Sequence, residues 1–139
     1  MNYNVPLEKK IERRILKSKD KTFVLSDFFD LSGRDQILRA LRKLIQKSFL
    51  LRVGQGVYTR VKISSLTNKP IPEQNLRSIA TTVLKKKGVK VLPSSFERDY
   101  NSGVSTQVPT GLVIGVDRRT NRKIGFNGRF VKYEKVSRS

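Results

Sequence analysis

The stretch from Leu25 to Arg60, LSDFFDLSGRDQILRALRKLIQKSFLLRVGQGVYTR, constrains the fold more than any other part of the chain. Ser26 is a good N-cap for a short helix starting at Asp27 and ending near Phe29 or Asp30. Phe28 and Phe29 are its expected core anchors. Ser32 then begins a longer helix, and its S-x-x-D spacing to Asp35 is that of a capping box with Asp in place of Glu. Little more than Asp30 and Leu31 remains between the two helices, a tight turn. In the longer helix Ile37, Leu41, Leu44 and Ile45 form one apolar stripe with Ala40 on its edge. Asp35, Gln36, Arg39, Arg42, Lys43 and Gln46 occupy the opposite face. The runs SFLLRV and GVYTRV read as two strands joined about Gly54-Gln55-Gly56, where glycine permits the positive φ of a tight hairpin. Helix, turn, helix and hairpin in this order predict a winged helix-turn-helix.

The flanking sequence completes that module. Leu7, Ile11 and Ile15 recur every four residues with Leu16 beside them, which predicts a scaffold helix over Leu7 to Ser18. KTFVL follows as a short extended piece. The stretch Thr67 to Pro72 carries prolines on both sides of Ile71 and reads as an extended linker. A domain over residues 1–66, a linker over 67–72 and a second domain over 73–139 are therefore expected.

The second half reads as a small α+β unit. Pro72 is placed at a helical N1 position with Glu73 beside it. Leu76, Ile79, Ala80, Val83 and Leu84 keep helical spacing, and Gly88 is suited to the position just past the helix end. VKVLP is a strand, SSFERDY a short helix capped by Ser94 or Ser95, GLVIGVD an apolar strand, and Arg118 to Arg122 a turn. KIGFNGRFVKYEKV predicts a C-terminal β-hairpin with Asn127-Gly128 in a type I′ turn. The fold class expected for the whole chain is α+β, a winged helix-turn-helix followed by this smaller α+β domain.

Charge selects the partner. Lys and Arg number 30 against 11 Asp and Glu, a net charge of +19 over 139 residues. An excess of this size attracts polyanions and speeds encounter with them. It is spread along the chain, with 15 basic and 6 acidic residues in 1–66 and 15 and 5 in 67–139. Both halves are thus expected to touch the partner. The chain has no Cys and no His, which excludes disulfides, Cys nucleophiles, His general bases and the usual zinc sites. Walker and metal-binding motifs are absent, so neither catalysis nor a cofactor is expected. No apolar run approaches the roughly 20 residues that span a bilayer. The N-terminus lacks an apolar signal region, so no membrane role and a cytoplasmic, bacterial location are expected, nucleoid-associated when bound to DNA.

A recognition helix enters the major groove with its N-terminal residues against base edges. Gln36 has the chemistry to read adenine, and Arg39 and Lys43 that for guanine. Arg42 is placed for phosphate. The wing offers Arg52, Gln55, Tyr58 and Arg60 to phosphate or the minor groove; Arg52 and Gln55 stand near its tip, and Tyr58 is suited equally to packing the hairpin. Lys85 to Lys87 suit either phosphate or the negative end of their own helix. Arg118, Arg119, Arg122 and Lys123 crowd one turn, where an anion relieves their repulsion, and they form a second expected contact. A different reading makes the chain an RNA or ribonucleoprotein binder, with Phe126, Phe130 and Tyr133 as stacking residues; packing of the second core is the plainer role for these three.

ILRALRKLIQKSFLLRVGQGVYTR followed by STQVPTGLVIGVDRRTNRKIGF resembles the AbiEi-like antitoxins and their short relatives among winged-helix transcriptional regulators. The matching elements are the basic leucine-rich helix at Leu38 to Leu44, the G-x-Y strand at Gly56 to Tyr58, and Thr106-Gln107-Val108-Pro109 ahead of an apolar strand and a basic hairpin. The resemblance runs from about Ile11 to Phe130. It implies a DNA-binding repressor of a type IV toxin–antitoxin system, with double-stranded DNA as partner and a nucleotidyltransferase-like toxin as a second one. Fuller members continue with further helices past the hairpin, so the resemblance carries DNA binding further than toxin neutralisation. Oligomeric state stays open: a dimer requires a palindromic or repeated site, whereas two basic halves suffice for a monomer to embrace a duplex.

Overall fold

The computed structural model describes residues 5–94 and 112–136, in two units, Met1–Gln74 and Asn75–Ser139. It is a small mixed α+β protein, with three α-helices and several small sheets among the described residues. The helix expected over SSFERDY, past Ser94, and the segment Thr106 to Pro109 lie outside them.

In the first unit, helix α1 (Leu7–Lys17) buries Ile11 and Ile15 completely, as their four-residue spacing dictates. Leu16 stands off that stripe and is exposed. Strand β1 (Thr22–Val24) leads directly into a 3-10 turn at Leu25–Phe28. The short helix expected from a Ser26 cap is therefore tighter and begins earlier. Asp27 supplies the reason: its carboxylate accepts a 2.9 Å bond from the Val24 N–H and folds the chain back on itself. Phe28 is fully buried, with its ring 5.9 Å from that of Phe23, whereas Phe29 is 48% exposed and is not a core anchor.

Helix α2 (Arg34–Gln46) starts one residue later than the Ser32 capping box predicted. Gly33 takes the N-cap in an extended conformation, and no side chain caps the helix. Ile37, Ala40, Leu41 and Leu44 are buried and Ile45 is partly so, as the periodicity required. The helix ends with Ser48 at φ 60°, bonding to the Ile45 carbonyl, while the Phe49 N–H reaches back to Leu44. This is a Schellman closure with serine where glycine is usual.

Strand β2 (Leu50–Gly54) and strand β3 (Val57–Ile63) form the expected hairpin about Gln55-Gly56, with Gly56 at φ 67°. The register is irregular between Arg52 and Gly54. Strand β1 also pairs antiparallel with β3, placing β3 in the middle of the order β1-β3-β2. The far half of β3 pairs with β4 (Pro70–Pro72), so the expected linker closes a second hairpin. Proline at strand ends on a sheet edge withholds no needed donor. The core of this unit joins α1, the 3-10 turn, α2 and the sheet through Ile11, Ile15, Phe28, Leu41, Leu44 and Leu50. Each such side chain contributes about 1.5–3 kcal/mol by burial.

The second unit opens with α3 (Leu76–Lys86). Pro72 is not its first residue. Asn75 caps it by accepting the Ser78 N–H at 2.8 Å, and the two prolines are held extended in β4. Ile79, Ala80, Val83 and Leu84 are buried as predicted, and Gly88 at φ 77° follows the helix end. Strands β5 (Val91–Leu92), β6 (Val113–Val116) and β9 (Lys132–Lys135) form a sheet of order β5-β6-β9. Strands β7 (Gly125–Phe126) and β8 (Arg129–Phe130) make the predicted Asn127-Gly128 hairpin, with both turn residues at positive φ. Its arms hold only two residues each. Past Val131 the chain leaves the hairpin, and β9 runs parallel to β6, whose backbone groups require a partner on that side.

Candidate nucleic-acid interface

The outward face of α2 is an exposed, charged surface of the first unit. Gln36, Arg39, Arg42, Lys43 and Gln46 fall within an arc of about 120° on a helix of 3.6 residues per turn. All five are exposed, opposite the buried stripe. They line one side of a groove of about 490 Å³, whose other side is the start of α1 at Pro6, Leu7 and Glu8. The four residues that the sequence singled out on this helix are thus brought to a single groove.

The ion pairs of this unit use other cations. Arg14 joins Asp30, Lys47 joins Glu8, and both Lys21 (2.8 Å) and Arg60 (3.4 Å) join Glu73. Among the described residues none of Arg34, Arg39, Arg42 and Lys43 is in an ion pair. Hydrogen bonding to Lys47 lowers the Glu8 pKa, and the nearby charge of Lys43 adds to the effect.

Tyr58 of the hairpin lies in the core of this unit. Its side chain is nearly covered, and burial raises the phenol pKa. The positive charges of Arg52, Arg34 and Arg42 pull the other way. Three guanidinium groups, two from α2 and one from β2, therefore lie within electrostatic reach of one phenol. Arg52 is exposed, and its Nε donates to the Gly54 carbonyl at 3.3 Å. Gln55 is exposed at the turn. Arg34 was absent from the sequence-derived set. The signal was its position: a cation in the first turn opposes the helix dipole and gains only if an anion approaches.

The remaining four site residues, Arg118, Arg119, Arg122 and Lys123, belong to the second unit. Arg118 lies 3.4 Å from Asp117, and the Thr120 hydroxyl donates to the Arg118 carbonyl at 3.2 Å. The Arg122 carbonyl accepts a 2.6 Å bond from the Tyr133 hydroxyl, which fastens the basic segment to β9. Burial raises the Tyr133 pKa, opposed by the charge of Arg122. Lys123 places its ammonium 4.8 Å from the centroid of the Phe130 ring. Arg118, Arg119 and Lys123 are exposed, and Arg122 is half-buried.

No helix of the described residues is long and apolar enough to cross a membrane. Residues 10–139 match the family of unknown function DUF6088, and the chain belongs to it. No curated protein and no solved structure matches the chain.

Proposed function

We propose that this DUF6088 member binds duplex DNA through its first unit and acts as a transcriptional regulator. The observation that carries the reading is the placement of Gln36, Arg39, Arg42 and Lys43 along one groove-lining face of α2, exposed and with no cation of that set in an ion pair among the described residues. An exposed helix face of this kind matches the width of the major groove, which admits one α-helix.

The architecture supports a winged helix-turn-helix. Helix α1, strand β1, the 3-10 turn, helix α2 and the β2–β3 hairpin follow one another in that order, with β1 added to the hairpin through β3. The middle helix is reduced to a 3-10 turn. In this reading α2 is the recognition helix and β2–β3 the wing. Gln36, Arg39 and Lys43 meet base edges, Arg42 and Arg34 meet phosphate, and Arg52 and Gln55 follow the backbone beside the wing. Arg118, Arg119, Arg122 and Lys123 add contacts to phosphate from the second unit. The toxin partner rests on the sequence resemblance alone.

Selection of bound sequences from a random duplex pool, followed by anisotropy titrations on selected and scrambled duplexes, tests the reading. Enrichment of a defined motif, lost in Arg39→Ala, is expected. Recovery of no motif, or binding of Arg39→Ala equal to the native chain on both duplexes, overturns it.

A further inference from the structure

The β7–β8 hairpin carries a feature that duplex binding does not use. Phe130 is 44% exposed, although the residues on either side of the hairpin arms, Ile124 and Val131, are buried. Directly across the ladder from it stands Gly125. A Cβ at Gly125 would lie 2.3 Å from Phe130 Cδ1 and 2.8 Å from Cε1, so the ring rests on bare backbone and any side chain at 125 would displace it. The glycine thus holds an aromatic ring on the surface of the hairpin. Phe126 and Tyr133 are half-buried, and the Tyr133 hydroxyl is engaged with Arg122, which leaves Phe130 as the exposed ring of the three.

The ring's present neighbour indicates what it attracts. Lys123 sits over it in a cation–π contact, on an exposed and unbranched side chain. Between Leu112 and Val136 the chain holds seven cations and two acids. An exposed aromatic ring within such a field is the arrangement on which bases stack while cations follow the phosphates. A base inside a duplex has both faces covered by its neighbours, so only an unpaired base can stack here.

We infer that the β7–β8 hairpin is a binding site for unpaired bases of single-stranded nucleic acid. Phe130 is the stacking surface, and Lys123 leaves the ring for the adjoining phosphate. This site is independent of the α2 face, and either stands without the other.

The test uses the full chain and labelled strands of fifteen thymidines, a base-free strand with the same number of phosphates, and a duplex of equal length. The native chain is expected to bind the thymidine strand more tightly than the base-free one. Phe130→Ala should weaken binding to the thymidine strand by about 5- to 150-fold, the range of one stacked base, and leave the duplex affinity unchanged. Arg39→Ala should do the reverse. Phe130→Leu retains the apolar cover of Gly125 and should lose single-strand affinity while keeping the thermal midpoint. Equal affinity for the thymidine and base-free strands overturns the inference, as does full single-strand affinity in Phe130→Leu. Loss of duplex binding in Arg39→Ala with no single-strand binding by the native chain leaves the duplex reading standing and removes this one.

Discussion

Arg14 meets Asp30 head-on: its two terminal nitrogens lie 2.5 and 2.7 Å from the two carboxylate oxygens. The same guanidinium donates to the Asp27 carbonyl at 3.0 Å. One side chain of α1 thereby fixes both the 3-10 turn and the start of the loop into α2, which sets where the charged face of α2 points. A planar fork makes these bonds and an ammonium does not. Arg14→Lys is expected to lower the thermal midpoint and to weaken duplex binding although residue 14 is not on the α2 face. Calorimetry and anisotropy on the same preparation check this. An unchanged midpoint with weakened binding would place Arg14 at the DNA instead.

Acid should loosen the first unit. Hydrogen bonding to Arg14 lowers the Asp30 pKa, to Lys47 that of Glu8, and to Lys21 that of Glu73, with further charge from Arg60. Each folded-state pKa lies below its unfolded value. The stabilisation is therefore present above the ordinary carboxylate range and is lost as pH falls through the depressed values. Urea midpoints measured from pH 7 down to pH 2 should stay level and then decline below about pH 4. Because these pairs are partly exposed, 1 M salt should flatten the decline.

The two helix ends make a matched pair. Both α2 and α3 close with a residue at positive φ, Ser48 in one and Gly88 in the other. Serine has a Cβ to place in that conformation and glycine does not. Ser48→Gly should stabilise the protein by about 1 kcal/mol, and Gly88→Ala should destabilise it by a similar amount. Space is not the obstacle at Gly88, since a Cβ there meets nothing within 4 Å. Denaturant titration resolves changes of this size.

Adjacent phenylalanines should behave as opposites. Phe28→Ala removes a fully buried ring and should cost about 3–5 kcal/mol. Phe29→Ala removes one that is half in water and should stay within about 0.5 kcal/mol.

On DNA, Arg39→Ala should cost about 1–3 kcal/mol on the selected site and little on scrambled duplex. Arg34→Ala and Arg52→Ala should weaken both duplexes alike and reduce the slope of log affinity against log salt by about one each. An Arg34→Ala variant that discriminates less between the two duplexes would move Arg34 from phosphate to a base edge.

Much of the first unit was legible because its elements are set by local spacing. Four-residue recurrence placed α1, the stripe from Ile37 to Leu44 placed α2, and glycine placed the β2–β3 turn. The helix starts were misread where two groups compete for the same job. Asp27 bonds upstream to Val24 and tightens the turn that Ser26 was expected to cap, Gly33 takes the N-cap that Ser32 was expected to fill, and Asn75 caps α3 in place of a start at Pro72. The parallel pairing of β6 with β9 and the return of β4 to β3 depend on partners distant in sequence, which no local pattern encodes. The α2 face was legible from the wheel, but its groove with α1 was not, and neither was the approach of Arg34 to Tyr58.

The division of labour among the cations has a consequence for how this surface changes over time. Arg14, Lys21, Arg60 and Lys47 are spent on ion pairs within the first unit, while Arg39, Arg42 and Lys43 are in no ion pair among the described residues. Substitution on the outward face of α2 therefore leaves the scaffold intact. The same folded frame can accept changes on that face, one side chain at a time, without giving up the ion pairs that hold it together.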